Sequence, residues 1–233
     1  MSSGKSLFKQ TLIYGIATVL PRMLSFLLVR LYTDYLPNKE YGEVSVIFSY
    51  LFSWNVVLSY GMETAFFRFY NKEDNKSKVI STSTISLFWS TIGFLILFLL
   101  FRKNLALWSE INVEYVVFTI WILALDALAI IPFSKIRAEG RPIKYAVIKI
   151  SNVVINLSLN IFFLAFLPNW AANTDNVFIQ TIYYEGFQIG YIFVSNLIAS
   201  LFTLLFVLPD YFKIKWEFDA DLWKKMMQYG LPI

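Results

Sequence analysis

Ionisable and amide side chains stand in this chain where long apolar runs should carry none. Arg22 lies about eleven residues into the first such run, beside Pro21. Asp126 sits near the middle of another, and Lys149 lies within a third. A charge held in hydrocarbon costs about 2.5–3.5 kcal/mol on insertion scales unless it meets a partner or a water-filled cavity. Arg22 is therefore expected to face a cavity or to pair with Asp126 or Glu63. Asp126 is expected to hold a coupling ion, to pair with Arg22, or to hydrogen-bond within the bundle. Asn55, Ser59 and Glu63 follow one another at i, i+4 and i+8, a polar stripe on one helix face. Lys149, Asn152, Asn156 and Asn160 fall within an arc of roughly 80° at 100° per residue. Such a stripe lines a cavity or glues one helix to another through amides. No chemistry beyond binding is indicated: the chain has no Cys and no His, no carboxylates are paired as a catalytic dyad or an Asp-x-x-Asp site, and no metal or cofactor is expected.

The elements that must position these residues are membrane spans. The chain has 233 residues and is 58% hydrophobic, well above an ordinary soluble domain. Runs at about residues 11–33, 41–69, 79–101, 113–133, 143–167 and 187–208 are each long enough to cross a bilayer. The pattern predicts an all-α polytopic protein of six spans. Pro21 is expected to bend the first, because its missing N–H breaks a helical hydrogen bond. Arg30 and Arg68 lie near span ends, where long cations act as anchors. Between the fourth and fifth runs lies Arg137-Ala-Glu-Gly-Arg-Pro142, a basic turn in which Gly140 should end one helix and Pro142 start the next. With the N-terminus inside, fourteen of the 20 cations fall on the inner side. Only Lys39, Arg102 and Lys103 face out, while Arg22, Arg30 and Lys149 lie within spans. That asymmetry sets a cytoplasmic N-terminus and explains the net charge of +4 without nucleic acid.

Leu7-Phe-Lys-Gln-Thr-Leu-Ile-Tyr-Gly15 returns in outline as Leu222-Trp-Lys-Lys-Met-Met-Gln-Tyr-Gly230, and each copy is followed by a proline, Pro21 and Pro232. The repeat reads as residues 1–221 forming one six-helix lobe and residues 222–233 opening a second, as in duplicated transporters.

Several stretches carry a family resemblance: Pro21-Arg-Met-Leu-Ser-Phe26, Tyr41-Gly42, Tyr60-Gly-Met-Glu-Thr-Ala-Phe-Phe-Arg68, the basic turn, and Tyr229-Gly-Leu-Pro232. In their order and spacing the chain resembles the Wzx-like flippases of oligosaccharide repeat units, within the superfamily that also holds lipid II flippases and multidrug and toxic compound extruders. The resemblance implies the N-terminal lobe of a two-lobed, MATE-like transporter in a bacterial inner membrane. It implies a substrate as well, a polyprenyl-diphosphate oligosaccharide flipped outward by alternating access for O-antigen or lipopolysaccharide assembly. The partners implied are that lipid-linked substrate, membrane lipid, a second lobe or second copy, and a polysaccharide polymerase. In the resembling lipid II flippases an arginine at the place of Arg22 lies in the substrate cavity. A multidrug extruder of the same fold, a membrane glycosyl- or polyprenyl-phosphate transferase and a non-transporting membrane scaffold remain as alternatives.

Overall fold

Apolar runs separated by short polar turns leave this chain few choices, since only helices satisfy the backbone inside lipid without sheet partners. The structure, a computed structural model, describes residues 2–174 and 176–231, with side chains from residue 11 onward. In order, the helices are α1 (Ser2–Tyr35), α2 (Asn38–Ser59), α3 (Met62–Lys72), α4 (Lys76–Leu100), α5 (Arg102–Ser109) and α6 (Val113–Ala138). They are followed by α7 (Pro142–Ile161), a π-helical turn (Phe162–Phe166), α8 (Leu167–Ala172), α9 (Val177–Ile182), α10 (Gln188–Tyr211) and α11 (Ala220–Gly230). No strand occurs among the described residues. Among the described residues six stretches are long and apolar enough to cross a membrane: Thr11–Tyr35, Asn38–Lys72, Lys76–Leu100, Val113–Ala138, Pro142–Ala172 and Gln188–Tyr211.

Local chemistry sets most of the ends. The side chains of Asn75, Asn112 and Asn176 accept backbone N–H groups at the starts of α4, α6 and α9, satisfying donors a helix leaves open. The basic turn is built as its residues dictate, with Gly140 at φ +65° after α6 and Pro142 as the first residue of α7. α1 runs unbroken through Pro21.

Elsewhere the structure departs from the sequence reading. The second run is two helices, because Tyr60 (φ 32°) and Gly61 (φ 69°) both take the left-handed conformation. Between the third and fourth runs Arg102 and Lys103 open a short helix, α5, and the stretch after residue 167, beyond the fifth run, forms α8 and α9. The fifth run widens into the π turn just before Pro168. Pro168 cannot donate a backbone hydrogen bond and crowds the carbonyl four residues back, which a wider turn relieves. The sixth span continues through Pro209 to Tyr211, so Asp210 is helical and only 1% exposed.

α6 lies at the centre, packed by α2, α3, α4 and α10, while α10 also packs on α7. Half of the apolar stretch of α6 is buried, against 6% of that of α1, which lies along α7. Hydrophobicity supplies little drive between helices in lipid, so close backbone approach at small residues matters more. Ala124, Ala127 and Ala129 of α6 and Ser195, Ala199 and Ser200 of α10 are all buried. Val44, Ile47 and Leu51 of α2 close the other side with Tyr115, Ile120 and Leu123.

The ends of α3, α6 and α10 and the starts of α4 and α7 gather at one end of the bundle, the basic end. There α11 packs on α3 and α4, burying Leu222 and Met226 against Met62 and Phe66. Lys78 pairs with Asp219 at 2.6 Å. The Asp219 carboxylate also accepts the N–H groups of Asp221 and Leu222. The Leu222 N–H and the Lys78 ammonium hold it below the usual carboxylate range. The repeat-derived boundary thus falls within the first turn of α11; Pro232 lies outside the described residues.

Candidate functional site: a polar cleft among apolar helices

A cleft of about 280 Å³ opens between α2, α3, α6, α7 and α10. Its walls carry side chains that lipid would not tolerate. Asp126 and Arg137 come from α6, Lys149 and Asn152 from α7, Asn55 from α2 and Glu63 from α3. α10 adds Asn196, Ser200 and Thr203.

The cleft is partly self-satisfied. Arg137 donates to the Glu63 carboxylate at 2.8 Å, with both side chains about half exposed. The Arg137 guanidinium also stands 4.8 Å from the Phe67 ring. The Lys149 ammonium lies 4.9 Å over the Phe133 ring, a cation–π contact that offsets some of its lost hydration. Asn152 donates to the Thr203 hydroxyl at 2.9 Å. The charges balance: two carboxylates and two cations, set among amides and hydroxyls.

The structure brings together Asn55, Glu63, Asp126, Lys149 and Asn152 and leaves the other candidates elsewhere. Arg22 is exposed on α1 with no hydrogen bond or ion pair to any described residue, and Glu63 is taken by Arg137 rather than by Arg22. Ser59 ends α2 and its hydroxyl turns back to the Val56 carbonyl at 2.8 Å. Asn156 lines a separate pocket with Ser25, Tyr32 and Ser45, between α1, α2 and α7. Asn160 is fully buried and donates to the Asn156 carbonyl at 2.8 Å. The four-residue stripe on α7 therefore divides, its first half facing the cleft and its last residue making amide contacts within the helix. The second-span stripe is likewise broken by the Tyr60–Gly61 turn, although Asn55 and Glu63 both reach the cleft. Arg30 pairs loosely with Asp34 at 3.8 Å, and the Arg68 guanidinium lies 4.0 Å from the Tyr229 ring.

Two groups were not anticipated from sequence. Asn196, Ser200 and Thr203 follow i, i+4, i+7 spacing, the same signal that exposed the α7 stripe. Asp210 is the other. It is gripped by Lys144, by Arg141 at 3.4 Å and by Lys135 at 3.9 Å, and Arg141 also pairs with Glu139. The cations of the basic turn thus close on a buried carboxylate, tying α6, α7 and α10 at that end. Among the described residues no three His, Cys, Asp or Glu side chains come together as a metal-holding group.

Helix content, six spans and an internal polar cleft define a polytopic, transporter-like membrane protein. No family model, no curated protein and no solved structure matches the chain.

Proposed function

We propose that this chain is one lobe of a transporter that passes the hydroxylated head of a lipid-linked oligosaccharide across the membrane. The observation that carries the reading is the cleft itself. Sugar hydroxyls lose several kcal/mol each on entering hydrocarbon without hydrogen-bond partners. Asn55, Asn152, Asn196, Ser200, Thr203 and Tyr145 offer both donors and acceptors along one wall-lined path. The balanced charges favour a neutral polyol head over an organic cation.

In this proposal the diphosphate is met by Arg22. Its exposed place on α1 suits a group shared with a second lobe or a second copy, and the polyprenyl tail stays in lipid. The basic end is cytoplasmic in a bacterial inner membrane, and the product is handed to a polysaccharide polymerase. Moving a diphosphate outward gains about 2.3 kcal/mol per charge per 100 mV of inside-negative potential, so transport needs no coupling ion, cofactor or covalent chemistry. The lobes rock about the midplane.

A multidrug extruder is the second reading, favoured by the two carboxylates Glu63 and Asp126 in the cleft. The test is Arg22→Ala in the full-length protein, assayed for surface glycan and for efflux of a fluorescent cation. Loss of glycan export with normal membrane insertion supports the flippase. Unchanged export removes Arg22 from the path, and Asp126-dependent dye efflux favours the extruder.

A further inference from the structure

A second depression, of about 610 Å³, lies on the outer surface where α4 meets α11. Trp89, Phe218, Trp223, Ile85 and Met227 make its walls. Its few polar atoms are already engaged: Trp223 Nε1 donates to the Ser86 hydroxyl at 2.8 Å, and the Ser86 and Tyr60 hydroxyls bond at 2.8 Å. No side-chain polar atom there is left free to bond a sugar's hydroxyls, whereas a hydrocarbon chain fits the apolar walls. A packing helix would also fit poorly, because helix interfaces in lipid want small residues and this groove presents bulky rings.

Beside it runs an irregular strap, Phe212-Lys-Ile-Lys-Trp-Glu-Phe218, which turns at Phe212 and Lys213 and reaches the groove at Phe218. It is pinned to α4: the Ser81 hydroxyl accepts the Glu217 N–H at 2.8 Å, and the Thr82 hydroxyl accepts the Asp219 N–H at 3.2 Å. Phe212, Trp216 and Phe218 are exposed, as is Trp89 at 65%. The Trp216 ring meets Phe88 of α4 edge-on at 5.5 Å. Between the aromatics stand Lys213, Lys215 and Glu217, all exposed, and neither lysine has an ion pair to any described residue. The groove floor, Ile85 to Trp89, begins four residues beyond Ser81, so it lies about 6–12 Å deeper along α4 at 1.5 Å per residue. That depth separates a phosphate from the upper part of an acyl chain.

We propose that this is a binding site for one anionic phospholipid, its phosphate on Lys213 and Lys215 and one acyl chain against Trp89, Phe218 and Trp223. The aromatic rings take the interfacial level at which such side chains settle, and the two free ammonium groups supply the charge complementarity. The site is independent of the polar cleft.

The test uses the full chain extracted from membranes and weighed intact by mass spectrometry in the presence of phosphatidylglycerol or phosphatidylcholine. One phosphatidylglycerol should be retained in preference to phosphatidylcholine by roughly fivefold or more. Lys213→Gln/Lys215→Gln should bring the two lipids to parity, while Lys72→Gln/Lys76→Gln, an equal charge loss elsewhere at the basic end, should leave the preference in place. An equal loss in both variants overturns the site in favour of diffuse surface charge. One-for-one displacement of phosphatidylglycerol by a polyprenyl phosphate also overturns it, reassigning the groove to a substrate tail.

Discussion

Around Asp210 a single atom exchange has large consequences. Its carboxylate is buried and shared by Lys135, Arg141 and Lys144. Asp210→Asn leaves those three cations with Glu139 as their remaining counter-charge, a loss of up to about 3–5 kcal/mol for breaking a buried pair. Thermal unfolding in detergent should drop by many degrees; an unchanged midpoint would show that the cations simply turn to solvent. Glu63 and Arg137 are half exposed, and their pair contributes about 0–1 kcal/mol. The sequence exposed Asp126, Lys149 and Asn152 because charge and amides stand out at helical spacing against an apolar background. It hid Asn196, Ser200 and Thr203, which have the spacing but no charge to draw notice. Asp210 was hidden for a different reason: Pro209 looks like the end of a helix, yet α10 continues through it and Tyr211 bonds to the Leu128 carbonyl.

The helices themselves were readable as lengths of apolar chain, and their interruptions were not. A lone glycine in a helical run is commonly tolerated, so Gly61 gave no warning of the break between α2 and α3. The cause lies far along the chain: a Cβ on Gly61 would sit 1.9 Å from the Gly230 carbonyl oxygen, at the end of α11. Gly61→Ala should cost about 1–3 kcal/mol from its left-handed backbone alone, more with the clash. It should release α11 to trypsin at Lys224 and Lys225. Gly93→Ala, with no atom within 4 Å of the added Cβ, should gain about 0.5–1 kcal/mol as an ordinary helix substitution. Equal protease resistance in both variants would mean that the Gly61–Gly230 approach does not hold α11 in place.

For the molecule as a whole, the proposed orientation has a direct check, since the chain has no cysteine of its own. In intact cells, Lys103→Cys should react with a membrane-impermeant thiol reagent, and Lys213→Cys should react only after permeabilisation. The reverse pattern would invert the protein and remove the electrical argument for outward transport. The scant burial of α1 bears on something else, the order in which the molecule is made. α1 leaves the ribosome well before α7, and it is α7, roughly a hundred residues later, that supplies most of the surface it rests on. At about 5–20 residues per second, α1 waits several seconds with only the few contacts that α2 provides. During that interval the insertion machinery, rather than α7, must cover the face of α1 that α7 later packs against. A nascent chain halted before Pro142 should therefore still crosslink to that machinery through α1, and one extended far enough beyond Ile161 for α7 to clear the ribosome should not.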